Sequence, residues 1–342
     1  MSKLGKRLIK GWHDVNIFVN LPKGKVRDSF ITDDIILRLQ SISKLTFNES
    51  NAALAGEELK NMLLTTDVLI TGWGQPAIKK EYLGNVKLIA HTGGTVGGII
   101  DLGVFDTDVR VLSGNRYYAR SVAEGVIGYM LFMLRNMGRY SSDLKNGKWV
   151  WDAHTEGLIE QEVGLVSLGA ISKNVIEMLR PYNCKIKVYS TRPNEETARN
   201  MGFTYASLDE IFQTCKVVSV HTAKCPQTYH MINEKHFKML QNGAIFINTS
   251  RGTVIDEKAL IESLKENRFR ALLDVYEKEP LPQTSELLKL ENVALFPHQA
   301  GPTFDKRSKI TGYLIDDIES YFSGGEMLNE ITKEIATTMT MF

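Results

Sequence analysis

Arg251, Glu279 and His298 each stand just past a short apolar run, in Ile247-Asn248-Thr249-Ser250-Arg251-Gly252, Leu273-Asp274-Val275-Tyr276-Glu277-Lys278-Glu279-Pro280 and Phe296-Pro297-His298-Gln299-Ala300-Gly301. Runs of this kind read as buried strands, and open α/β sheets bind ligands beyond the carboxyl ends of their strands. A guanidinium grips a carboxylate through two parallel hydrogen bonds, which a lysine cannot do. An imidazole exchanges protons near neutral pH, so it can protonate a 2-keto oxygen as hydride reaches carbon, or act as base in reverse. A carboxylate accepting from its other ring nitrogen would fix the tautomer and favour the protonated ring. Glu279 and Glu277 both qualify for that part, and spacing leaves the choice open. Asp274 is a further candidate, for a nicotinamide carboxamide. Each residue has a plainer reading taken singly: a surface arginine in a β–α loop, a structural histidine after a proline, an aspartate capping a turn. Three such groups at three strand ends are harder to assign to packing.

A second constellation opens at Val163-Gly164-Leu165-Val166-Ser167-Leu168-Gly169-Ala170-Ile171-Ser172. It is a strand running into a helix, where a dinucleotide fingerprint would place glycines at 167, 169 and 172. Only Gly169, the position that lets backbone approach a pyrophosphate, is glycine, but small residues hold the other two. Ala170 and Ile171 follow it as backbone contacts for the phosphates. The next strand ends at Tyr189-Ser190-Thr191-Arg192-Pro193, without the acidic residue that would bind the ribose hydroxyls of NAD. Ser190, Thr191 and Arg192 can instead donate to a 2′-phosphate, so the expected cofactor is NADP or NAD, with NADP slightly favoured. The plainer reading makes Arg192 a solvated loop residue.

These groups need a scaffold, and the length of 342 residues points to two domains rather than one core. In the first hundred residues, segments 15–19, 43–47, 67–71 and 86–90 read as strands, and 35–40, 57–64 and 77–83 as the helices between them. A single long helix is expected over 121–145. A second alternating series has strands at 163–168, 186–189, 217–221, 244–248, 271–275 and 293–296, with helices at 171–180, 208–213, 234–240 and 257–267. Alternation of this kind predicts two open parallel sheets covered on both faces, the second a doubly wound Rossmann domain. An amphipathic helix at 309–322 can return to the first domain and make it discontinuous.

Bulk properties exclude several classes. A formal net charge of +1, with lysines and arginines dispersed, offers no nucleic-acid or membrane surface. The basic start from Lys3 to Lys10 is not followed by an apolar stretch of signal-peptide length. The longest apolar region, 126–134, is too short to span a bilayer. Cys184, Cys215 and Cys225 lack metal-ligand spacing, so no metal is expected and the compartment is taken as cytoplasmic. The residues after 330 are too few for an appended regulatory domain.

From about Val86 onward the chain resembles the D-isomer-specific 2-hydroxyacid dehydrogenase family, which includes phosphoglycerate dehydrogenase-like enzymes. The likeness is carried by Asn248-Thr249-Ser250-Arg251-Gly252 with Val254-Ile255-Asp256, by Leu273-Asp274-Val275 through Glu279-Pro280, and by Pro297-His298. The resemblance implies a flavodoxin-like substrate domain from residues 1–118 and 309–342, and a Rossmann domain over 119–308. It implies Arg251 as carboxylate binder, His298 as acid/base, and Glu279 rather than Glu277 as its partner, because the family's glutamate directly precedes the proline. It also implies cofactor contacts from Ser121, Thr222, Thr249, Asp274 and Gly301, and a homodimer packed through 121–160. In His91-Thr92-Gly93-Gly94-Thr95-Val96-Gly97-Gly98, a loop richer in glycine than the family's usual one, the amides of Gly93, Gly94, Thr95 and Val96 would meet the substrate carboxylate, with Trp73 nearby. The plainer reading of that loop is a turn closing the fourth strand. The chain departs from the family at Ser167 and Ser172, at the missing acidic ribose ligand, and at Ala223-Lys224-Cys225, where Pro-Leu-Thr is usual.

The expected function is hydride transfer between a nicotinamide cofactor and a small 2-hydroxy or 2-keto acid. A non-catalytic dinucleotide sensor of the same fold is the alternative, favoured slightly by the missing glycines and opposed by the intact Arg251, Glu279 and His298. Formate or phosphite oxidation is a third reading; Glu279 opposes the formate version, since formate-oxidising relatives carry glutamine there.

Overall fold

The computed structural model describes residues 14–151 and 155–340. The basic segment from Lys3 to Lys10 lies outside the described residues. The chain divides into two compact units, Met1–Tyr117 with Thr303–Phe342, and Tyr118–Pro302.

The first unit holds a five-stranded parallel sheet of β1 (Asn16–Val19), β2 (Lys44–Phe47), β3 (Val68–Thr71), β4 (Leu88–His91) and β5 (Arg110–Ser113), in the order β2-β1-β3-β4-β5. That is the flavodoxin-like winding. The central strands β3 and β4 are buried throughout because helices cover both faces, which is why they read as unbroken apolar runs. The helix Arg307–Phe322 packs in this unit, where Arg38 reaches Glu319 and Asp316.

The second unit holds seven parallel strands: β6 (Glu162–Val166), β7 (Lys185–Tyr189), β8 (Thr204–Tyr205), β9 (Val217–Val220), β10 (Ile245–Asn248), β11 (Arg270–Leu273) and β12 (Val293–Leu295). Their order, β12-β11-β10-β9-β6-β7-β8, is the doubly wound Rossmann arrangement with one strand added, and the winding reverses between β6 and β9. Two apolar cores sandwich this sheet, one around Phe212, Phe237, Phe246 and Phe269, the other around Val126, Met130, Val175 and Leu179.

Three expectations need correction. The helix expected over 77–83 is only a 3-10 turn, Lys80–Tyr82, because Ile78 is drawn into an extended bridge with Ile100. The single helix expected over 121–145 is two, Asn115–Leu134 and Met137–Lys145. They break at Asn136, whose φ is 50°, where the Arg270 guanidinium takes the Met133 carbonyl and the Asn136 side chain. The six strands expected in the second series are seven, since β8 pairs with the edge of β7. Strand β5 and the helices Lys25–Phe30, Glu195–Met201 and Lys333–Thr338 carried too little periodicity to be seen. Among the described residues no helix is long and apolar enough to cross a membrane, and no cluster of side chains suits a metal ion.

Candidate active site

Arg251 owes its place to the strand before it. At the end of β10, Asn248 folds its side chain over the following turn: Oδ1 accepts from the Ser250 amide (3.0 Å) and hydroxyl (2.8 Å), and Nδ2 donates to the Arg251 carbonyl (3.2 Å). Gly252 then passes so close to the exit of β11 that a Cβ there would stand 1.8 Å from the Tyr276 carbonyl carbon. Only glycine permits that approach. Burial pulls the Arg251 pKa down, and the charge of Glu279 opposes the shift.

The exits of β11 and β12 are tied together. Tyr276 donates its hydroxyl to the Phe296 carbonyl (2.9 Å), and its amide donates to Glu279 Oε1 (3.1 Å). Burial pushes the Tyr276 phenol up to about 12, so it stays a donor. Glu279 Oε2 accepts from His298 Nδ1 at 2.8 Å. His298 sits at φ 55°, in the left-handed region, and its ring reaches Glu279 on the turn after β11. Its Nε2 has no protein partner among the described residues and is left to meet a ligand. Glu277, the rival in sequence, pairs instead with His230 at 2.7 Å.

Asp274 is 1% exposed. It accepts from the Gln299 and Ala300 amides (2.7 and 2.9 Å) and from the Tyr129 hydroxyl (3.1 Å), so it holds the turn that follows His298. Burial raises its pKa against those hydrogen bonds. Its cap on the turn is the plainer of the two roles expected for it. Gly301 follows that turn with open space where a Cβ would be. Ser121 lies one helical turn before Gly125, where a Cβ would stand 3.1 Å from the Ala300 carbonyl oxygen.

Strand register places one further row. Val166, Tyr189, Val220, Asn248 and Leu273 are aligned, so the next residues, Ser190, Ser167, His221, Thr249 and Asp274, line the carboxyl edge of the sheet. Thr249 Oγ1 and both ring nitrogens of His221 are buried without a hydrogen bond among the described residues, and burial holds the His221 pKa down to about 3. Orphaned buried polar atoms at a strand edge need a polar partner, such as water or a ligand. Thr222 donates to the Val166 carbonyl (3.3 Å). His221 belongs to the loop 220–226, which resembles the family's adenosine-side loop, but its sequence position gave it no role of its own.

The turn after β6 fits a dinucleotide. Ser167 adopts φ 86°, the conformation for which the fingerprint keeps its first glycine, so the backbone shape survives the loss of that residue. A Cβ on Gly169 would meet nothing within 4 Å. The amides of Ala170, Ile171 and Ser172 open the helix Ala170–Leu179 and have no protein acceptor among the described residues, as an anion site requires. Ser172 donates its hydroxyl to the Ser167 carbonyl (2.6 Å), closing the turn from below. At the end of β7, Ser190 accepts from the Arg192 amide (3.1 Å), and Thr191 and Arg192 are exposed.

Trp73, Gly93, Gly94, Thr95 and Val96 belong to the first unit. Trp73 packs edge-on against Phe30, with the Arg307 guanidinium 4.7 Å from its ring centre. The amides of Gly93, Gly94, Thr95 and Val96 have no protein acceptor among the described residues.

A doubly wound Rossmann unit with an anion-ready first turn, joined in one chain to a flavodoxin-like unit, defines a two-unit dinucleotide-binding type of α/β protein. Residues 127–300 match the model of the D-isomer specific 2-hydroxyacid dehydrogenase NAD binding domain. Among curated proteins, the chain is 30% identical over 308 residues to D-3-phosphoglycerate dehydrogenase of Methanocaldococcus jannaschii, covering 87% of this chain but only 57% of that protein's length. It is 30% identical over 271 residues to hydroxypyruvate reductase of Thermotoga maritima, covering 78% of this chain and 88% of the relative. A phosphoglycerate oxidoreductase structure from Rhizobium etli shares the fold with a TM-score of 0.79 at 21% identity, over 94% of this chain and 99% of that one. The chain belongs to the D-isomer specific 2-hydroxyacid dehydrogenase family.

Proposed function

We propose that the protein is a nicotinamide-dependent oxidoreductase of small 2-hydroxy or 2-keto acids, with His298 as its acid/base. The observation that carries this is the 2.8 Å bond from His298 Nδ1 to Glu279, which leaves Nε2 as the proton-transferring atom. Arg251, in the electrostatic range of Glu279, supplies the cation that holds the substrate carboxylate. Glu279 fixes the imidazole tautomer, and Asp274 holds the Gln299–Ala300 amides so that the His298 backbone keeps its unusual conformation. When bound, the cofactor supplies or accepts the hydride. Gly169, Ala170 and Ile171 would hold its diphosphate, while Ser121, Thr222, Thr249, Asp274 and Gly301 border the rest of its path along the strand edge.

The open end of β7 supports NADP over NAD: Ser190, Thr191 and Arg192 can donate to a 2′-phosphate, and no carboxylate stands there to repel it. In the first unit, the spare amides of Gly93, Gly94, Thr95 and Val96 are read as a carboxylate cradle with Trp73 as an apolar neighbour. The exposure of Trp149 (83%) and Trp151 (89%), with Met137, Leu144 and Ile159, supports a homodimer formed through this segment. Three free thiols suit a cytoplasmic setting.

The test is stopped-flow oxidation of NADPH and NADH with glyoxylate, pyruvate and hydroxypyruvate. Turnover with at least one keto acid is expected. Cofactor binding by calorimetry without turnover on a broad panel would instead mark a dinucleotide sensor.

A further inference from the structure

At the carboxyl edge of the five-stranded sheet, register sets Asn20, Thr71, His91 and Ser113 side by side. All four are buried at the ends of largely apolar strands, so each needs a polar partner. Three have theirs. Asn20 donates to the Leu54 carbonyl and to Gln75 Oε1. Ser113 donates to the Gly93 carbonyl (3.1 Å). Thr71 Oγ1 bonds His91 Nδ1 at 2.9 Å.

His91 is satisfied at Nδ1 alone. Its Nε2 has no protein partner among the described residues, although the residue is only 1% exposed. That nitrogen lies against Gly93, 2.2 Å from where a Cβ would stand, so any side chain at 93 would collide with the ring. The loop beyond is tethered through its carbonyls: Asn115 Nδ2 donates to the Gly94 carbonyl (2.6 Å), as Ser113 does to that of Gly93. Thr95 also anchors it, through a hydroxyl bond to the Thr340 carbonyl (2.9 Å). Its amides are the groups left over.

We propose that His91 is a substrate-binding residue whose Nε2–H donates to the substrate carboxylate alongside the amides of Gly93 and Gly94. The inference rests on the keto-acid reading above. In this reading the Thr71 hydroxyl, which has no other acceptor among the described residues, donates to Nδ1 and leaves the proton on Nε2. Burial holds the imidazole pKa down to about 4, so the donor is neutral at working pH. It adds direction to the carboxylate site without a second positive charge, while Gly93 is kept small to give it room.

The experiment uses full-length protein labelled with 15N throughout, titrated with oxamate at pH 7.5 and followed in amide and long-range histidine ring spectra. Nε2 of His91 should be protonated, and its signal should shift together with the Gly93 and Gly94 amides. His91→Phe should weaken oxamate binding by about 10-fold or more, the worth of one hydrogen bond to a charged group, and raise KM with kcat nearly unchanged. His91→Gln, which keeps a donor, should recover part of the loss. Amide shifts with a silent His91 ring would overturn the role of His91 and leave the carboxylate cradle standing. If neither set moves, the inference falls together with the cradle. An unaltered oxamate affinity in a folded His91→Phe protein would also overturn it.

Discussion

Glu277 and Glu279 stand two residues apart on one turn, and each is bonded to a different histidine: Glu277 to His230 at 2.7 Å, Glu279 to His298 at 2.8 Å. The first pair is locked further by Glu257, which exchanges amide–carboxylate bonds with Glu277 (3.1 and 3.0 Å). One pair therefore secures the turn while the other presents a ring nitrogen.

The two glutamates should separate in mutants. Glu279→Gln should lower kcat by about 10-fold or more, because the imidazole loses its orienting carboxylate. Glu277→Gln should leave kcat within about three-fold and lower unfolding free energy by about 1 kcal/mol, the worth of a partly exposed hydrogen-bonded pair. Steady-state kinetics with urea melts check both. Equal kinetic losses would show that the turn cannot be divided this way.

Gly252→Ala should be severe. With a Cβ placed 1.8 Å from the Tyr276 carbonyl carbon, the backbone on one side must move. A loss of about 2–4 kcal/mol is expected, typical of overpacking at its upper end, and the displaced Arg251 should raise KM for the keto acid. A variant with unaltered melting and KM would mean the turn yields freely.

Ser167→Gly should stabilise. At φ 86° the serine pays a backbone strain that glycine avoids, offset in part by glycine's greater unfolded freedom. The net gain should be about 0.5–1 kcal/mol in urea unfolding. Ser167→Ala, which keeps a Cβ, should show none of it.

Acid should destabilise the fold through His91 and His221. Both are buried neutral, with pKa values near 4 and 3 against an ordinary 6.5, so the unfolded chain takes up protons first. Their stability contribution is complete above pH 6.5 and is lost as pH falls toward 4, at up to about 1.4 kcal/mol per pH unit for each ring. Between pH 6.5 and 5 the urea midpoint should fall, and His91→Phe should reduce the slope by about one proton. A flat profile there would contradict the burial of both rings.

Cofactor choice should turn on Arg192. Arg192→Ala should raise KM for NADPH by about 10-fold and leave that for NADH nearly unchanged, as expected for loss of one charge-assisted contact to a 2′-phosphate. Parallel changes for the two cofactors would place Arg192 outside the ribose site.

Much of the architecture could be read from residue order. Strands such as β4, β9 and β10 are covered on both faces, so they appear as unbroken apolar runs, and polar residues beginning abruptly after such runs mark the ligand edge. The kink at Asn136 could not be read, because its cause is Arg270, far along the chain, capping the broken helix. Nor could the turn at Lys80–Tyr82, where a bridge to Ile100 overrides helical periodicity.

At the site, residue types along the chain were enough to single out Arg251, His298 and the two glutamates, since chemistry resides in side chains and strand ends are visible as changes of polarity. Residue spacing left open which glutamate faces His298; the resemblance implied Glu279, and the fold pairs it with His298 and Glu277 with His230. Side-chain direction on a turn follows no simple period, and here it depends on how Gly252 and Tyr276 lock the loop. The spare nitrogens of His91 and His221 likewise emerge only once neighbouring strands are in register, because whether a buried polar atom is satisfied is a property of its surroundings.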